Sequence, residues 1–328
     1  MKKTLYLFTS GTLERKDNTI FFSTTSGSRA LPINAISELM IFGEIELNKR
    51  VLEFLNQYSI PLHFFNYYGF YIGSFYPRET TNSGIMTLKQ AEHYLDMEKR
   101  LYLAKSFVYG GANNILCNID YYRRTKTSEL KDAIISIENL IGHIDEKESM
   151  PTLMELEAEI RKIYYSTFDF FLEGFTLERR TIRPPTNPLN AMLSFGNSLL
   201  YVVVLSEIYK THLDPRIGFL HTTNQRSFSL NLDIAEIFKP IIVDRIIFSL
   251  VNKGQIQNKH FEQDVNYAYL NQKGREIFVN AFEEKLRTTI KYKNLGKVSY
   301  RRILRIECYK LYQHFLDDEP YKPFISNW

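Results

Sequence analysis

Glu157 is a carboxylate placed where a helix calls for hydrocarbon. At 100° per residue, Leu153, Glu157, Ile160, Tyr164, Phe168 and Phe171 share one face, while Glu155 and Glu159 turn toward water. An unpartnered carboxylate on a core face costs several kcal/mol or is forced to protonate, so a base or a cation must meet it. Further along, His221 follows Phe219 and Leu220 in an apolar setting, and Asp233 and Glu236 lie three residues apart in a helix-like run. Carboxylate oxygens with an imidazole nitrogen are the donors of a metal site. Each residue also has a purely structural reading: Glu157 paired with an arginine or a helix end, His221 bonded to backbone, and Asp233 and Glu236 forming a solvated first turn. The chain has no HExxH, no paired CxxC and no EF-hand loop.

The elements that must position these residues fall into two groups. Thr4–Phe8, Thr12–Arg15, Thr19–Ser23 and Arg29–Ile33 read as short strands separated by Ser10-Gly11, Asp17-Asn18 and Ser26-Gly27-Ser28 turns. A short helix is expected over Asn48–Tyr58, then a hairpin, Pro61–Phe65 with Phe70–Phe75, closed around Asn66-Tyr67-Tyr68-Gly69. The polar stretch after Arg78 has no periodicity and reads as a linker. From Leu88 the period becomes helical, with segments near Leu88–Tyr109, Asn113–Thr125, Ser128–Ile141, Thr152–Phe175, Pro188–Tyr209, Leu230–Asn252 and Gly274–Lys291. Pro184-Pro185 and Asn187-Pro188 stiffen one connection, and Pro240 should remove a hydrogen bond and kink the helix around it. The expected fold class is α+β: a β-rich domain over 1–78, a linker over 79–86 and a larger all-α catalytic domain over 87–328.

Two basic groups stand out. On a final helix, Val298–Phe315, the apolar face is Leu304, Cys308, Leu311 and Phe315, and Arg301, Arg302, Arg305 and Tyr309 crowd the sector beside it. Arg179, Arg180 and Arg183 form a second group ahead of the two prolines. Both suit phosphate contacts, as they would suit a solvated flank.

Composition sets the bounds. The chain has 328 residues, 44% of them hydrophobic, enough for a large core. Forty-one basic against 37 acidic residues give a net charge of +4, which permits nucleic-acid binding through local patches without demanding it. Most of the 22 Tyr and 24 Phe are expected in the core, with some available to stack on bases. Cys117 and Cys308, the only cysteines, argue against a disulfide scaffold and exclude a cysteine-built zinc site. No continuous apolar run of membrane-spanning length and no signal peptide is apparent, so the expected location is cytoplasmic.

Three blocks in order carry a family resemblance. Glu157-Ala158-Glu159-Ile160-Arg161-Lys162-Ile163-Tyr164-Tyr165 comes first, the stretch from Arg183-Pro184-Pro185 through Asn190 to Ser194-Phe195-Gly196 second. The third runs from Leu213-Asp214-Pro215-Arg216 to His221 and resumes at Asp233-Ile234-Ala235-Glu236 through Pro240. Together they resemble the CRISPR-associated endonuclease and integrase of the spacer-acquisition (adaptation) complex, the universal first CRISPR-associated protein. Many relatives have Glu-Gly where this chain has Glu157-Ala158, and Asp where it has Glu236; both changes keep the oxygen donors. The resemblance implies Glu157, His221 and Glu236 as catalytic metal ligands, with Asp233 nearby. It further implies Mg²⁺ or Mn²⁺ as cofactor, a homodimer built through the β-rich head, and double-stranded and branched DNA as substrate. The partner it implies is the small second CRISPR-associated protein. Two carboxylates and an imidazole suit Mn²⁺ and tolerate Mg²⁺. A metal-dependent hydrolase of small phosphoesters would use the same trio without basic stripes, and a DNA-binding scaffold would use the acids only structurally.

Overall fold

A computed structural model describes residues 2–78, 83–123, 130–223, 228–264, 267–317 and 319–327. The chain divides into two compact units, residues 1–80 and 81–328. Of the expected linker, residues 79–82 lie outside the described ones, and Gly84 already opens a helix.

The first unit is strand-rich. It comprises β1 (Lys3–Leu7), β2 (Gly11–Lys16), β3 (Thr19–Thr24), β4 (Gly27–Leu31), β5 (Ile36–Ile41), β6 (Ile45–Leu47), α1 (Lys49–Gln57), β7 (Leu62–Phe65) and β8 (Tyr71–Phe75). Two four-stranded sheets result, in the orders β4-β3-β2-β6 and β1-β5-β7-β8. Alternating apolar residues from both, among them Leu13, Ile20, Phe22, Leu39 and Ile41, form one core with Val51, Phe54 and Leu55 of α1. The β7–β8 hairpin closes as its sequence predicts: Asn66 Oδ1 accepts the N–H groups of Tyr68 and Phe70, and Gly69 takes the positive φ of 84°. Strand β5 escaped the sequence reading because it is buried on both faces, with Ser37 and Glu38 among its apolar residues, and so lacks alternation, and β6 because it has only three residues.

The second unit is helical, with two short ribbons. Its elements are α2 (Gly84–Leu95), α3 (Met97–Arg123), α4 (Lys131–Gly142), α5 (Met150–Ser166), α6 (Phe168–Phe171), α7 (Pro188–Ile208), α8 (Leu230–Lys239), a wide π-type turn at Pro240–Asp244, α9 (Arg245–Asn252), β9 (Phe261–Asp264), β10 (Tyr267–Leu270), α10 (Gln272–Arg287), β11 (Thr289–Lys291), β12 (Lys297–Ser299) and α11 (Tyr300–Asp317). The fold class is thus the expected α+β, a strand-rich unit followed by a helical one.

Helix boundaries differ from the periodic reading in two instructive places. The break expected at Gly110-Gly111 lies instead at Asp96, whose carboxylate accepts the N–H groups of Glu98 and Lys99 and caps α3. The two glycines lie inside α3, where neighbours leave little room for a side chain. A Cβ on Gly110 would stand 2.7 Å from Pro323, and one on Gly111 would stand 3.2 Å from the Glu236 carbonyl. The second difference is α5, which ends at Ser166, well short of the expected Phe175. Thr167 turns its hydroxyl onto the Tyr164 carbonyl (2.6 Å), and Phe168 and Phe171 pass to α6, where both rings pack on Phe248.

Helix α7 is long and apolar enough to cross a membrane, but 89% of its apolar window is buried among the other helices. That makes it the central core helix of this unit.

Candidate metal centre

Three separate segments bring the sequence-derived acids and histidine together. Helix α5 starts where Ser149 caps it and Pro151 fits its first turn, and it presents Glu157 one turn before Arg161. Helix α8 supplies Asp233 and Glu236, both buried. His221 lies in the connection between α7 and α8.

That loop is held from all sides. Gln90 accepts from the Asp214 N–H (2.7 Å) and donates to the Asp214 carbonyl (3.1 Å), and Arg100 donates to the Phe219 carbonyl (3.0 Å). Asp233 does the rest. Its Oδ2 accepts the N–H groups of Phe219 (2.5 Å) and Leu220 (3.1 Å), and its Oδ1 accepts the His221 N–H (2.9 Å) and faces His221 Nδ1 (2.8 Å). Gly218 lets the backbone come this close, since a Cβ there would stand 2.9 Å from Asp233 Oδ2. Asp233, expected near the metal, is therefore spent on holding the loop and the imidazole. With Nδ1–H on Asp233, the ring turns Nε2 toward Glu236 Oε1, 4.0 Å away.

Glu157 meets the cation that its position required. Arg161 pairs through Nε with Glu157 and through Nη2 with Glu236, while Lys239 pairs with the other Glu236 oxygen. Burial works against the Arg161 charge, but Glu157 and then Tyr165 outweigh it and hold its ionisation above the ordinary arginine value. A cavity of about 10 Å³, room for one water, opens at this point; Phe107, Val108, Ile115 and Leu220 wall it, and Glu157, Arg161 and Glu236 form its polar side.

Among the described residues, no three His, Cys, Asp or Glu side chains stand close enough to enclose an ion in this arrangement, because the guanidinium lies between the carboxylates. The donor chemistry nonetheless fits a divalent cation: two carboxylates line one cavity with positive charge already between them, and the His221 imidazole nitrogen lies 4.0 Å from one of those acids.

Behind the site lies a layer that sequence reasoning missed. Pro240 has no N–H to give, and the wide turn that follows frees carbonyls of α8. Two asparagines one turn apart on α3 meet them: Asn114 donates to the Ile237 carbonyl (2.8 Å) and Asn118 to the Pro240 carbonyl (3.1 Å). Asn114 also joins the C-terminal segment, donating to the Phe324 carbonyl and accepting the Ser326 N–H. Asn118 donates to Tyr164, whose hydroxyl donates to Asp244 (3.0 Å). Burial pushes the Asp244 carboxyl up to about 7, although Tyr164, Arg161 and Lys239 pull it the other way. Two of these partners leave a sequence signal, Arg161 four residues after Glu157 and Lys239 three after Glu236. Asn114, Asn118 and Asp244 leave none.

The two basic groups divide. Arg301 and Arg305 both reach Glu207 of α7, which is wholly buried, at 3.8 and 2.7 Å, and Arg301 also pairs with Glu283 (3.0 Å). Arg302 is exposed. Likewise Arg180 is drawn inward onto Asn190 (3.0 Å) and Ser194 (3.1 Å), while Arg179 and Arg183 are exposed.

Residues 5–284 match the family model described as CRISPR associated protein Cas1. A CRISPR-associated endonuclease Cas1 of Thermodesulfovibrio yellowstonii is 52% identical over the whole of both chains. The solved structure of a Cas1 protein from Thermotoga maritima, 44% identical, superposes with a TM-score of 0.86 over 99% of this chain and 100% of its own. A casposase bound to integration product shares the fold, with a TM-score of 0.87 at 21% identity over 99% of this chain and 94% of that one. The chain belongs to the Cas1 family of CRISPR-associated proteins.

Proposed function

We propose that this Cas1 chain is a metal-dependent DNA endonuclease and integrase that inserts short DNA fragments into a CRISPR array by phosphodiester transesterification. The observation that carries the reading is that Glu157 of α5 and Glu236 of α8 line one cavity, with His221 Nε2 4.0 Å from Glu236 Oε1, within the span matched by the family model. These three residues would hold Mg²⁺ or Mn²⁺, and the ion, when bound, supplies Lewis-acid polarisation of the scissile phosphate.

The chain's own residues do the remaining work. Asp233 holds His221 through Nδ1 and sets the ring direction, so Nε2 is the nitrogen turned toward Glu236. Asn114 and Asn118 hold the C-terminal half of α8, and with it Glu236, against α3. Phe107, Val108, Ile115 and Leu220 make the inner wall apolar, which strengthens electrostatic interactions at the reacting phosphate. Arg179, Arg183 and Arg302 are exposed and would reach DNA phosphates, whereas Arg180, Arg301 and Arg305 serve mainly in pairing within the protein.

The reading further assigns double-stranded and branched DNA as substrate, the small second CRISPR-associated protein as partner, and a cytoplasmic location. It assigns a homodimer through the strand-rich unit, whose edge strand β4 is largely exposed; light scattering of the full chain and of one lacking residues 1–82 tests that interface. The activity itself is tested with a branched duplex. Binding should persist in EDTA while cleavage and strand transfer stop; turnover of small phosphoesters without DNA binding would contradict the assignment.

A further inference from the structure

Resting on the reading of Glu157, His221 and Glu236 as ligands, we propose that Arg161 is the built-in counter-ion of this site, which a divalent cation must displace in order to bind. One guanidinium spans two carboxylates that come from different helices, Glu157 on α5 and Glu236 on α8. A planar fork with several donors can do this, and an arginine keeps its charge at any working pH. Without it, two carboxylates would face each other across a small, largely apolar cavity, and that repulsion would open the contact between α5 and α8. The oxygens that Arg161 holds are those a metal ion would take from the same acids. A guanidinium and a divalent cation repel at such range, so occupancy by one excludes the other. Lys239 is not equivalent, because its ammonium touches Glu236 alone and also lies over the Tyr201 ring, 5.0 Å from the centroid. The free protein is thus stable without metal, at the expense of metal affinity.

The test is Mn²⁺ binding to the DNA-free, full-length protein, read from the electron paramagnetic resonance signal of free Mn²⁺, alongside thermal denaturation in EDTA and in saturating Mn²⁺. Arg161→Gln should bind Mn²⁺ more tightly than the unaltered protein by about tenfold or more. Its melting temperature should be lower than that of the unaltered protein in EDTA, with the gap closing in Mn²⁺ as the ion takes over the bridging role. Arg161→Lys, whose ammonium cannot span both acids, should shift affinity in the same direction by less, and it serves if the Gln variant fails to fold. Glu236→Gln should lose the tight Mn²⁺ site. If the Arg161 variants bind Mn²⁺ no more tightly, or keep their melting deficit in Mn²⁺, while Glu236→Gln loses the ion, the counter-ion role is overturned and the ligand assignment stands. Undiminished Mn²⁺ binding by Glu236→Gln would instead remove the ligand assignment and this inference with it.

Discussion

Glu236 and Glu207 are both buried carboxylates, each paired with a lysine three residues on and with arginine from another helix. Glu207 meets Lys210 (2.7 Å), Arg305 (2.7 Å) and Arg301 (3.8 Å). Glu236 meets Lys239 and Arg161. The difference lies in what else arrives. Around Glu207 several cations close on one acid, and Arg301 and Arg287 extend the network to Glu283. Around Glu236 one guanidinium is divided between two acids, an imidazole nitrogen stands 4.0 Å off, and a cavity opens beside them. A cluster with surplus cations braces helices, whereas one whose single guanidinium is shared by two acids beside an opening can exchange that cation for another. Local sequence does not separate the two, since both read as Glu-x-x-Lys on a helix.

Substitutions in the two clusters should therefore have opposite signatures. His221→Ala or Glu236→Gln should lower strand cleavage by roughly 10³-fold or more, with only a small change in melting temperature for His221→Ala, and the double variant should be little worse in cleavage than either single one. Losses that multiply would argue against a shared ion. Glu207→Gln should do the reverse: denaturant titration should show a loss of about 3–5 kcal/mol, because Lys210, Arg301 and Arg305 lose their common partner, while cleavage per folded molecule is kept. A stable but inactive Glu207→Gln would erase the distinction.

Asp244 sharpens the comparison through pH. Its carboxyl is raised to about 7 by burial, so between the ordinary carboxylate range and about 7 the folded chain holds a proton that the unfolded chain has released. Its contribution to stability accordingly falls as pH rises through that window. Asp244→Asn should gain stability relative to the unaltered protein between pH 5 and pH 8, by about 1 kcal/mol or more. Parallel melting curves against pH would show that the neighbouring cations already hold Asp244 ionised. The smallest effect is expected on α11: Arg302→Gln should flatten the slope of log affinity against log salt on duplex DNA by about 0.9. Unchanged slope would make Arg302 a solvated flank.

The two-part architecture was legible because period two gives way to a helical period after the first eighty or so residues, and the hairpin at Asn66–Gly69 carried its own turn chemistry. The site's ligand candidates were legible for a different reason: Glu157 violates its helix face, and a violation demands a partner. What the sequence hid was long-range. Nothing local shows that Gly110 and Gly111 make room for Pro323 and the Glu236 carbonyl against α3, or that Asn114 and Asn118 are needed because Pro240 forces a wide turn on another helix. The arginines of α11 misled for the same reason. A stripe beside an apolar face looks solvent-facing until Glu207, about a hundred residues earlier in the chain, is found beneath it.

The central claim is that one divalent cation binds between Glu157, His221 and Glu236. Diffraction from a crystal soaked in Mn²⁺, collected at the manganese absorption edge, tests it most directly. The account predicts an anomalous peak within coordination distance of Glu157, His221 Nε2 and Glu236, with the Arg161 guanidinium moved off both carboxylates. A peak coordinated elsewhere, or Arg161 still bridging Glu157 and Glu236 at saturating Mn²⁺, would contradict it.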